Sequence, residues 1–220
     1  MSGIGNKDIA HEARETVWVP DEGRRGWLRP EREVIEVAKR LFAKGSRAAI
    51  DVACGVGRHA LGLAEIGFAV SATDLSDAAL NQLREEAGIR ALDIDVTLAS
   101  MTALPYLDHS FDYALAYNVS CHGDGSVARA AIAEARRVLR KGGILQATML
   151  STRSTTRQSG GTIAAGPFGG GHDNRDHDPG IFCDTDTLKV FLAGFEWLQV
   201  EDRPRGGSGY RYWHIVVERA

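Results

Sequence analysis

The residues of this 220-residue chain best placed to hold a ligand are a glycine-containing turn and two aspartates. In the stretch IDVACGVGRHA, residues 50–60, an apolar run ends at Asp51 and is followed by Gly55 and Gly57. Glycine lets the backbone turn sharply and lets a ligand approach the main chain, and the next helix offers unpaired N–H groups. Asp74 follows Gly57 by 17 residues, near the ~20-residue spacing at which an acid binds both ribose hydroxyls. The pattern predicts an adenosine-type ligand.

The turn alone leaves the ligand open. Gly55, Gly57 and Ala60 also satisfy the relaxed dinucleotide pattern G-x-G-x-x-A, and such a turn can join a strand to a helix without any ligand. Asp51 favours S-adenosylmethionine over NAD, because a carboxylate is unfavourable beside a pyrophosphate and attracts a cationic amino group. An oxidoreductase would also need a catalytic pair such as Tyr-x-x-x-Lys, which the sequence does not contain.

Composition and charge limit which classes of protein this chain can belong to. With 44% hydrophobic and 25% charged residues, the chain has the composition of an ordinary globular protein. A net charge of −3 gives no basic field for nucleic acid or an anionic membrane, so neither partner is expected. No apolar run approaches the ~18 residues of a membrane helix, and the N-terminus lacks the apolar core of a secretory signal. Three separated cysteines without a CxxC motif indicate reduced thiols, and therefore a cytoplasmic location.

Hydrophobic periodicity predicts strands and helices that alternate along the chain. Helices are predicted to begin near Pro30, Gly57, Ser76 and Ser126, and a further one after Asp184. Buried strands are predicted at residues 48–53, 68–74, 91–96, 111–118 and 144–150, and a terminal hairpin at 195–203 and 210–219. This alternation predicts βαβ units with right-handed crossovers and a mainly parallel sheet.

Three segments carry a resemblance to a known family: DVACGVGRHALGLAEIGFAVSATDLS, MTALPYLDHSFDYALAYNV and AEARRVLRKGGILQATML. They resemble successive segments of class I S-adenosylmethionine-dependent methyltransferases, over residues 31–150. The resemblance implies an α/β fold: a Rossmann-like, doubly wound, seven-stranded, mainly parallel sheet with an antiparallel C-terminal hairpin, in a three-layer α/β/α sandwich. Beyond residue 150 the chain is loosely similar to the small-molecule branch that includes tellurite-resistance and thiopurine-type methyltransferases.

The resemblance also implies S-adenosyl-L-methionine as the cofactor. Asp51 would bind its methionyl amino group, and Asp74 its ribose. Two positions depart from the family pattern. Ala53 replaces the usual glycine, which we expect to be tolerated if its φ stays negative, and Ser100 replaces an acid that often binds the adenine amino group. The implied cofactor-binding residues are Asp51, Ala53, Gly55, Gly57, Asp74, Leu75, Ser100, Met101, Tyr117 and Asn118.

The residues expected to act on the acceptor lie later in the chain. His122 and Tyr117 are the catalytic candidates, because an imidazole titrates near neutrality, although His122 fits equally well as a helix cap. The candidate substrate contacts are Cys121, His122, His172, His177 and Tyr212. The His- and Asp-rich segment around His172 matches no compact ligand set, so no metal is expected. Alternation along the last strand places Tyr212 and His214 on one face and Trp213 on the other, with the buried face left open.

We expect a single domain over residues 1–220. Its parts are an N-terminal arm or lid at 1–30, a cofactor-binding core at 31–150, an active-site loop at 151–180, and a C-terminal helix and hairpin at 181–220. The expected function is methyl transfer to a small molecule. A methyltransferase acting on RNA or protein, or a non-catalytic cofactor-binding protein, is the alternative. The acceptor atom stays open, since a thiolate needs no strong base and a hydroxyl does.

Overall fold

The computed structural model describes residues 28–118, 125–155, 181–206 and 209–220. Its helices are α1 (Arg32–Ala43), α2 (Arg58–Ile66), α3 (Asp77–Ile89), α4 (Gly125–Val138) and α5 (Thr185–Phe191). Its strands are β1 (Ala48–Val52), β2 (Ala69–Asp74), β3 (Ile94–Leu98), β4 (Phe111–Ala116), β5 (Leu139–Ser151), β6 (Phe182–Cys183), β7 (Phe195–Pro204) and β8 (Arg211–Arg219).

The strands form one sheet in the order β3-β2-β1-β4-β5-β8-β7, with β6 paired to β5. Strands β1 to β5 are parallel to their neighbours, whereas β8 is antiparallel to both β5 and β7. This confirms the mainly parallel sheet and the terminal hairpin, with the two-residue β6 as an eighth strand beyond the expected seven. The strand order reverses between β1 and β4, and ligands of open α/β sheets bind in the crevice at such a switch point.

Helices cover both faces of the sheet and confirm the three-layer sandwich. Along β4, Tyr113 and Leu115 pack with α1, α2 and α3, while Ala114 and Ala116 pack with α4 and α5. Successive side chains of a strand point to opposite faces, so these are two separate cores. Trp213 belongs to the second core, which places the alternate residues Tyr212 and His214 of β8 on the α1 side.

Side-chain caps fix where two helices begin. Ser76 Oγ accepts a hydrogen bond of 3.2 Å from the Ala79 amide at the start of α3. The carboxylate of Asp184 does the same for the Thr187 amide, at 2.8 Å, at the start of α5. Both caps satisfy N–H groups that the first turn of a helix leaves unpaired, and Ser76 thereby holds α3 at the carboxyl end of β2.

Two element boundaries differ from expectation. The third strand was expected at 91–96 and lies at Ile94–Leu98. The reason is that α3 does not end at Gly88 but continues to Ile89. A turn with Ala91 in the left-handed conformation, φ 52°, then precedes the strand. Strand β5 begins at Leu139, five residues before the expected start, because α4 already ends at Val138.

Among the residues that the structure describes, no helix combines the length and the apolar character needed to span a membrane.

A glycine fixes the packing of α2 against α3. Gly57 caps α2 with φ 78°, and a Cβ at this position would collide with the Leu83 side chain. Gly57→Ala should therefore lower the free energy of unfolding by strain at positive φ, about 1–2 kcal/mol, and by overpacking, about 1–3 kcal/mol. Gly142, with φ 76° and open space around its Cβ position, is the matched control for the strain alone. Urea titrations measure both, and equal losses for Gly57→Ala and Gly142→Ala would contradict the packing role.

Candidate active site

The turn between β1 and α2 has a left-handed backbone at three positions. Ala53 has φ 52°, Gly55 56° and Gly57 78°. The condition on which we expected Ala53 to be tolerated, a negative φ, is therefore not met. The turn requires a conformation that costs an alanine roughly 1–2 kcal/mol because its Cβ crowds the neighbouring carbonyl. The strain is held at the end of β1, where the crevice of the sheet opens.

Asp74 holds this turn in place. One carboxylate oxygen, Oδ2, accepts a hydrogen bond of 2.8 Å from the Gly55 amide, and Oδ1 accepts one of 2.9 Å from the Ser76 amide. The amide of Ala99, which follows β3, donates to the Asp74 carbonyl at 3.0 Å. The structure thus brings the turn, Asp74 and the segment after β3 to one edge of the sheet.

The remaining residues expected on the adenosine side lie at this edge. Leu75 follows Asp74 and is half-buried, as are Ser100 and Met101. Ser100 Oγ accepts a hydrogen bond of 3.2 Å from the Thr102 amide, so the serine that replaces an acid stabilises its own turn. These positions surround the edge above β2 and β3 where the sequence predicts the adenosine.

Asp51 is a buried carboxylate at the start of the turn. The residue is only 2% exposed, and its carboxylate oxygen Oδ2 accepts a hydrogen bond of 3.0 Å from the Ala60 amide. Burial raises the pKa of Asp51 to about 7, and neither the Ala60 amide nor the charge of Arg58 offsets it. A cation placed beside this carboxylate would lower the pKa and stabilise the ionised form. The residues present therefore fit a ligand that carries an ammonium group.

Other polar atoms beside the turn lack protein partners. Within the described part of the chain, His59 Nε2 and Thr73 Oγ1 are buried without a hydrogen bond. Burial, with the charge of Arg58, lowers the pKa of His59 to about 3, so its ring is neutral. Burial also raises the pKa of the Cys54 thiol well above its ordinary value, so Cys54 is protonated and packs as a small residue. The Cys54 thiol is therefore not activated as a nucleophile.

A cavity of about 450 Å³ opens beside the turn, on the α1 side of the sheet. It lies between the start of α1, the carboxyl ends of β4 and β5, and the hairpin of β7 and β8. Its volume is in the range of pockets that hold small molecules. The residues lining it include Glu33, Tyr117, Asn118, Thr148, Tyr212 and His214. The ring of Tyr117 also contacts His59 of α2 edge-on, 5.1 Å between centroids, and so links the cavity to the helix that follows the turn.

Glu33 organises one wall of the cavity. Its Oε1 accepts hydrogen bonds of 2.6 Å from both Tyr117 Oη and His214 Nδ1, and its Oε2 accepts one of 2.7 Å from Arg203 Nη1. Partial burial raises the pKa of Glu33, but the bonds from His214 and Tyr117 and the nearby positive charges outweigh it and bring the pKa to about 2. Glu33 is therefore ionised at neutral pH.

This arrangement affects the catalytic role expected of Tyr117. Its hydroxyl donates to Glu33, and burial together with that carboxylate raises the pKa of Tyr117 above its ordinary value. The phenol keeps its proton at neutral pH, so Tyr117 cannot serve as the base. Tyr117 lines the cavity and contacts His59 of α2.

The other expected acceptor-side residues fall into two groups. Asn118, with φ 60°, donates its amide to Thr148 Oγ1 at 2.8 Å, and Tyr212 Oη accepts from Arg205 Nη1 at 3.3 Å, both at the cavity. Cys121, His122, His172 and His177 lie outside the described residues, as does most of the loop expected at 151–180. In the described ranges, no group of three or more His, Cys, Asp or Glu side chains is arranged to hold a metal ion.

Sequence reasoning missed Glu33 and Arg203 as site residues. The two ends of their ion pair are 170 residues apart in the chain, and each lies in an amphipathic element whose polar positions resemble an ordinary solvated face. The alternation along β8 did predict that His214 and Tyr212 share one face of the strand, but it did not predict which residues of other elements lie opposite them.

Comparison with known proteins finds a match to one domain family and several proteins with the same fold. Residues 50–147 match the family model described as "Methyltransferase domain". Among curated proteins, the O-methyltransferase resE of Aspergillus sclerotiorum is 31% identical over 118 residues, which are 51% of this chain and 43% of that protein. The chain thus spans less than half the length of this relative.

Two solved structures share the fold. Magnesium protoporphyrin IX methyltransferase (ChlM) from Synechocystis PCC 6803, solved with bound SAH, superposes with a TM-score of 0.69 at 15% identity, covering 96% of this chain and 94% of its own. The 1,6-didemethyltoxoflavin-N1-methyltransferase of Burkholderia thailandensis gives a TM-score of 0.66 at 19% identity, covering 96% and 88%. At these identities the likeness shows the shared fold.

The buried Asp51 makes stability depend on pH. Its folded pKa of about 7 exceeds the unfolded value near 4, so ionisation destabilises the folded chain progressively as pH rises from 4 to 7. Asp51→Asn keeps an oxygen for the Ala60 amide and removes this loss. Without ligand at pH 8, the variant should be more stable by roughly 1–4 kcal/mol, because one pKa unit corresponds to about 1.4 kcal/mol. The gain should vanish near pH 4.

Chemical denaturation at pH 4, 6 and 8 measures this difference. Asp93→Asn, at an exposed position before β3, is the control and should change stability equally at every pH. An Asp51→Asn variant whose stability difference is also independent of pH would show that the carboxylate is not desolvated.

Proposed function

We propose, from the match of residues 50–147 to a methyltransferase domain, that this chain transfers a methyl group from S-adenosyl-L-methionine to a small molecule. The observation that carries the proposal is Asp51, a fully buried carboxylate at the turn with a pKa raised to about 7. Among adenosine ligands, this one brings the ammonium group that such a carboxylate needs, whereas a pyrophosphate would be repelled.

The residues of the turn would hold the cofactor by its two ends. We assign the ammonium group to Asp51 and the ribose to Asp74, with Leu75, Ser100 and Met101 around the adenine. Asp74 already receives the Gly55 and Ser76 amides, and each of its oxygens has a further lone pair for a ribose hydroxyl. Ala53, Gly55 and Gly57 bring the backbone close, and Tyr117 and Asn118 follow at the end of β4.

The chemistry asks mainly for alignment. The bound cofactor supplies a methyl group on a positively charged sulfur, which leaves as a neutral thioether. The chain has to hold the acceptor in line and keep water out, and positioning of this kind contributes up to about 7–11 kcal/mol in favourable cases. We assign the acceptor to the cavity that Tyr117 and Asn118 line.

Several observations support a small-molecule acceptor. The cavity of about 450 Å³ matches a compact molecule. The relatives named above include enzymes whose names specify a porphyrin, a toxoflavin precursor and an O-methylation. The net charge of −3 offers no basic surface for RNA, and we propose a cytoplasmic location on the reduced cysteines.

Calorimetry with S-adenosylhomocysteine tests the cofactor. The chain should bind it, and Asp74→Asn should weaken binding at least ~10-fold, because hydrogen bonds to a charged group contribute about 1.5–3 kcal/mol. Asp93→Asn, away from the turn, should bind like the wild type, and circular dichroism should show all three chains folded. Tight binding of NAD without binding of S-adenosylhomocysteine would refute the proposal.

Turnover separates an enzyme from a cofactor-binding protein. Transfer of a labelled methyl group to any member of a panel of small phenols, thiols and amines is the expected result. Binding of S-adenosylhomocysteine with no transfer to the panel would favour the non-catalytic alternative.

A further inference from the structure

We propose that His214, oriented by Glu33, is the base that removes the proton from a phenolic hydroxyl of the acceptor. This inference rests on the proposed function and names its acceptor class. It gives a role in the reaction to α1 and β8, which both lie outside the matched residues 50–147.

The hydrogen bonds to Glu33 fix which nitrogen of His214 carries the proton. Glu33 is ionised and so can only accept, and His214 Nδ1 lies 2.6 Å from its Oε1. Nδ1 must therefore be the protonated nitrogen, which leaves the lone pair of the neutral ring on Nε2. Tyr117 and Arg203 bind the same carboxylate, so Glu33 cannot turn away from His214 without losing two further hydrogen bonds.

The position of His214 suits a base. It pairs with Thr148 across β5 and β8, and both line the cavity. Within the described residues, the ring makes its only side-chain hydrogen bond through Nδ1, so Nε2 is available to a molecule in the cavity. Tyr117 and Tyr212 supply aromatic surface beside it, and flat aromatic molecules pack well against such rings.

Charged side chains from two elements lie around His214. Helix α1 contributes Glu33 and Glu36, and β7 contributes Glu201, the cross-strand partner of His214, together with Arg203. Arg205 lies at the cavity with its guanidinium over the Tyr212 ring. The carboxylate in contact with the imidazole stabilises its positive charge, the part that an aspartate plays for histidine in a hydrolase triad.

The acidity of the acceptor selects a phenol. A phenol has a pKa near 10, as in tyrosine, and an imidazole can deprotonate it as the new bond forms, whereas an aliphatic alcohol is a far weaker acid. Thiols ionise readily without help. In the step, His214 Nε2 takes the hydroxyl proton, the oxygen electron pair forms the bond to the methyl carbon, and the carbon–sulfur pair returns to sulfur. The imidazolium then releases its proton to water.

The variant His214→Asn isolates this role. Its side-chain NH₂ can donate to Glu33 in place of Nδ1, and its amide oxygen, although an acceptor, is far too weak a base to deprotonate a phenol. His109→Asn is the matched control, because His109 lies at the other end of β4 and has φ 60°, which asparagine tolerates. Phenol and thiophenol, nearly equal in shape, are the acceptor probes, since thiophenol is ionised at neutral pH.

The wild type should methylate both probes. His214→Asn should lower phenol methylation by about 10²–10⁴-fold, the usual contribution of a general base, and leave thiophenol methylation within about twofold. The wild-type phenol rate should fall at acid pH, where the imidazole is protonated, and the variant should lack this fall. Equal losses on both probes, no loss on phenol, or a wild type that does not methylate phenol would each overturn the inference.

A second readout does not depend on activity. In ¹⁵N-histidine NMR of the full chain without ligand, neutral His214 should show a protonated Nδ1 and a bare Nε2. Glu33→Gln should mix the two tautomers, while His109→Asn should leave the His214 signals unchanged. A bare Nδ1 in the wild type would overturn the orientation by Glu33. Absent binding of S-adenosylhomocysteine would instead be a failure of the proposed function, so the two results are distinguishable.

Discussion

The left-handed turn after β1 is the constraint on which the site depends. Three positions of positive φ redirect the chain from the sheet into α2, and Asp74 holds the turn by the Gly55 amide. The same turn leaves Asp51 buried behind it and sets His59 against Tyr117. A turn of ordinary backbone conformation would release all three contacts. The strain of Ala53 is thus sustained by the groups around it, as expected at functional sites.

Sequence patterns predicted the framework because each pattern has a local cause. Apolar periodicity predicted the strands and helices, and Ser76 and Asp184 indicated where two helices begin. The motif segments predicted a methyltransferase-like core, and residues 50–147 match a methyltransferase domain model. The errors also have local causes. Residue type does not reveal the φ of an alanine, and Gly88 lies inside α3 because the packing of that helix outweighs the preference of glycine for helix ends.

The wall formed by Glu33 could not be predicted for a different reason. Its hydrogen bonds join α1, the end of β4, β7 and β8, which come together only when the sheet is complete. In the sequence, Glu33 and Arg203 are polar positions of amphipathic elements, and such positions usually face solvent. The sequence also left open which face of β8 His214 occupies. The structure answers this, because Trp213 packs in the core under α4 and α5 and His214 therefore lies on the opposite face. Contacts between elements far apart in the chain produce no regular spacing in the sequence, so the sequence could not predict them.

The two acids Glu33, half-buried, and Asp51, buried, differ in how far the protein stabilises their ionised forms. Glu33 accepts hydrogen bonds from three side chains and has a pKa of about 2, so the protein itself stabilises its negative charge. One of the three donors is His214, whose ring Glu33 thereby orients. Asp51 has one amide donor and a pKa of about 7, so its charge is satisfied only when a cation arrives. A nearby cation would stabilise the ionised form of Asp51, whereas the donors around Glu33 already stabilise its ionised form. This contrast supports the proposal that the cofactor binds at the turn and the acceptor in the cavity that Glu33 lines.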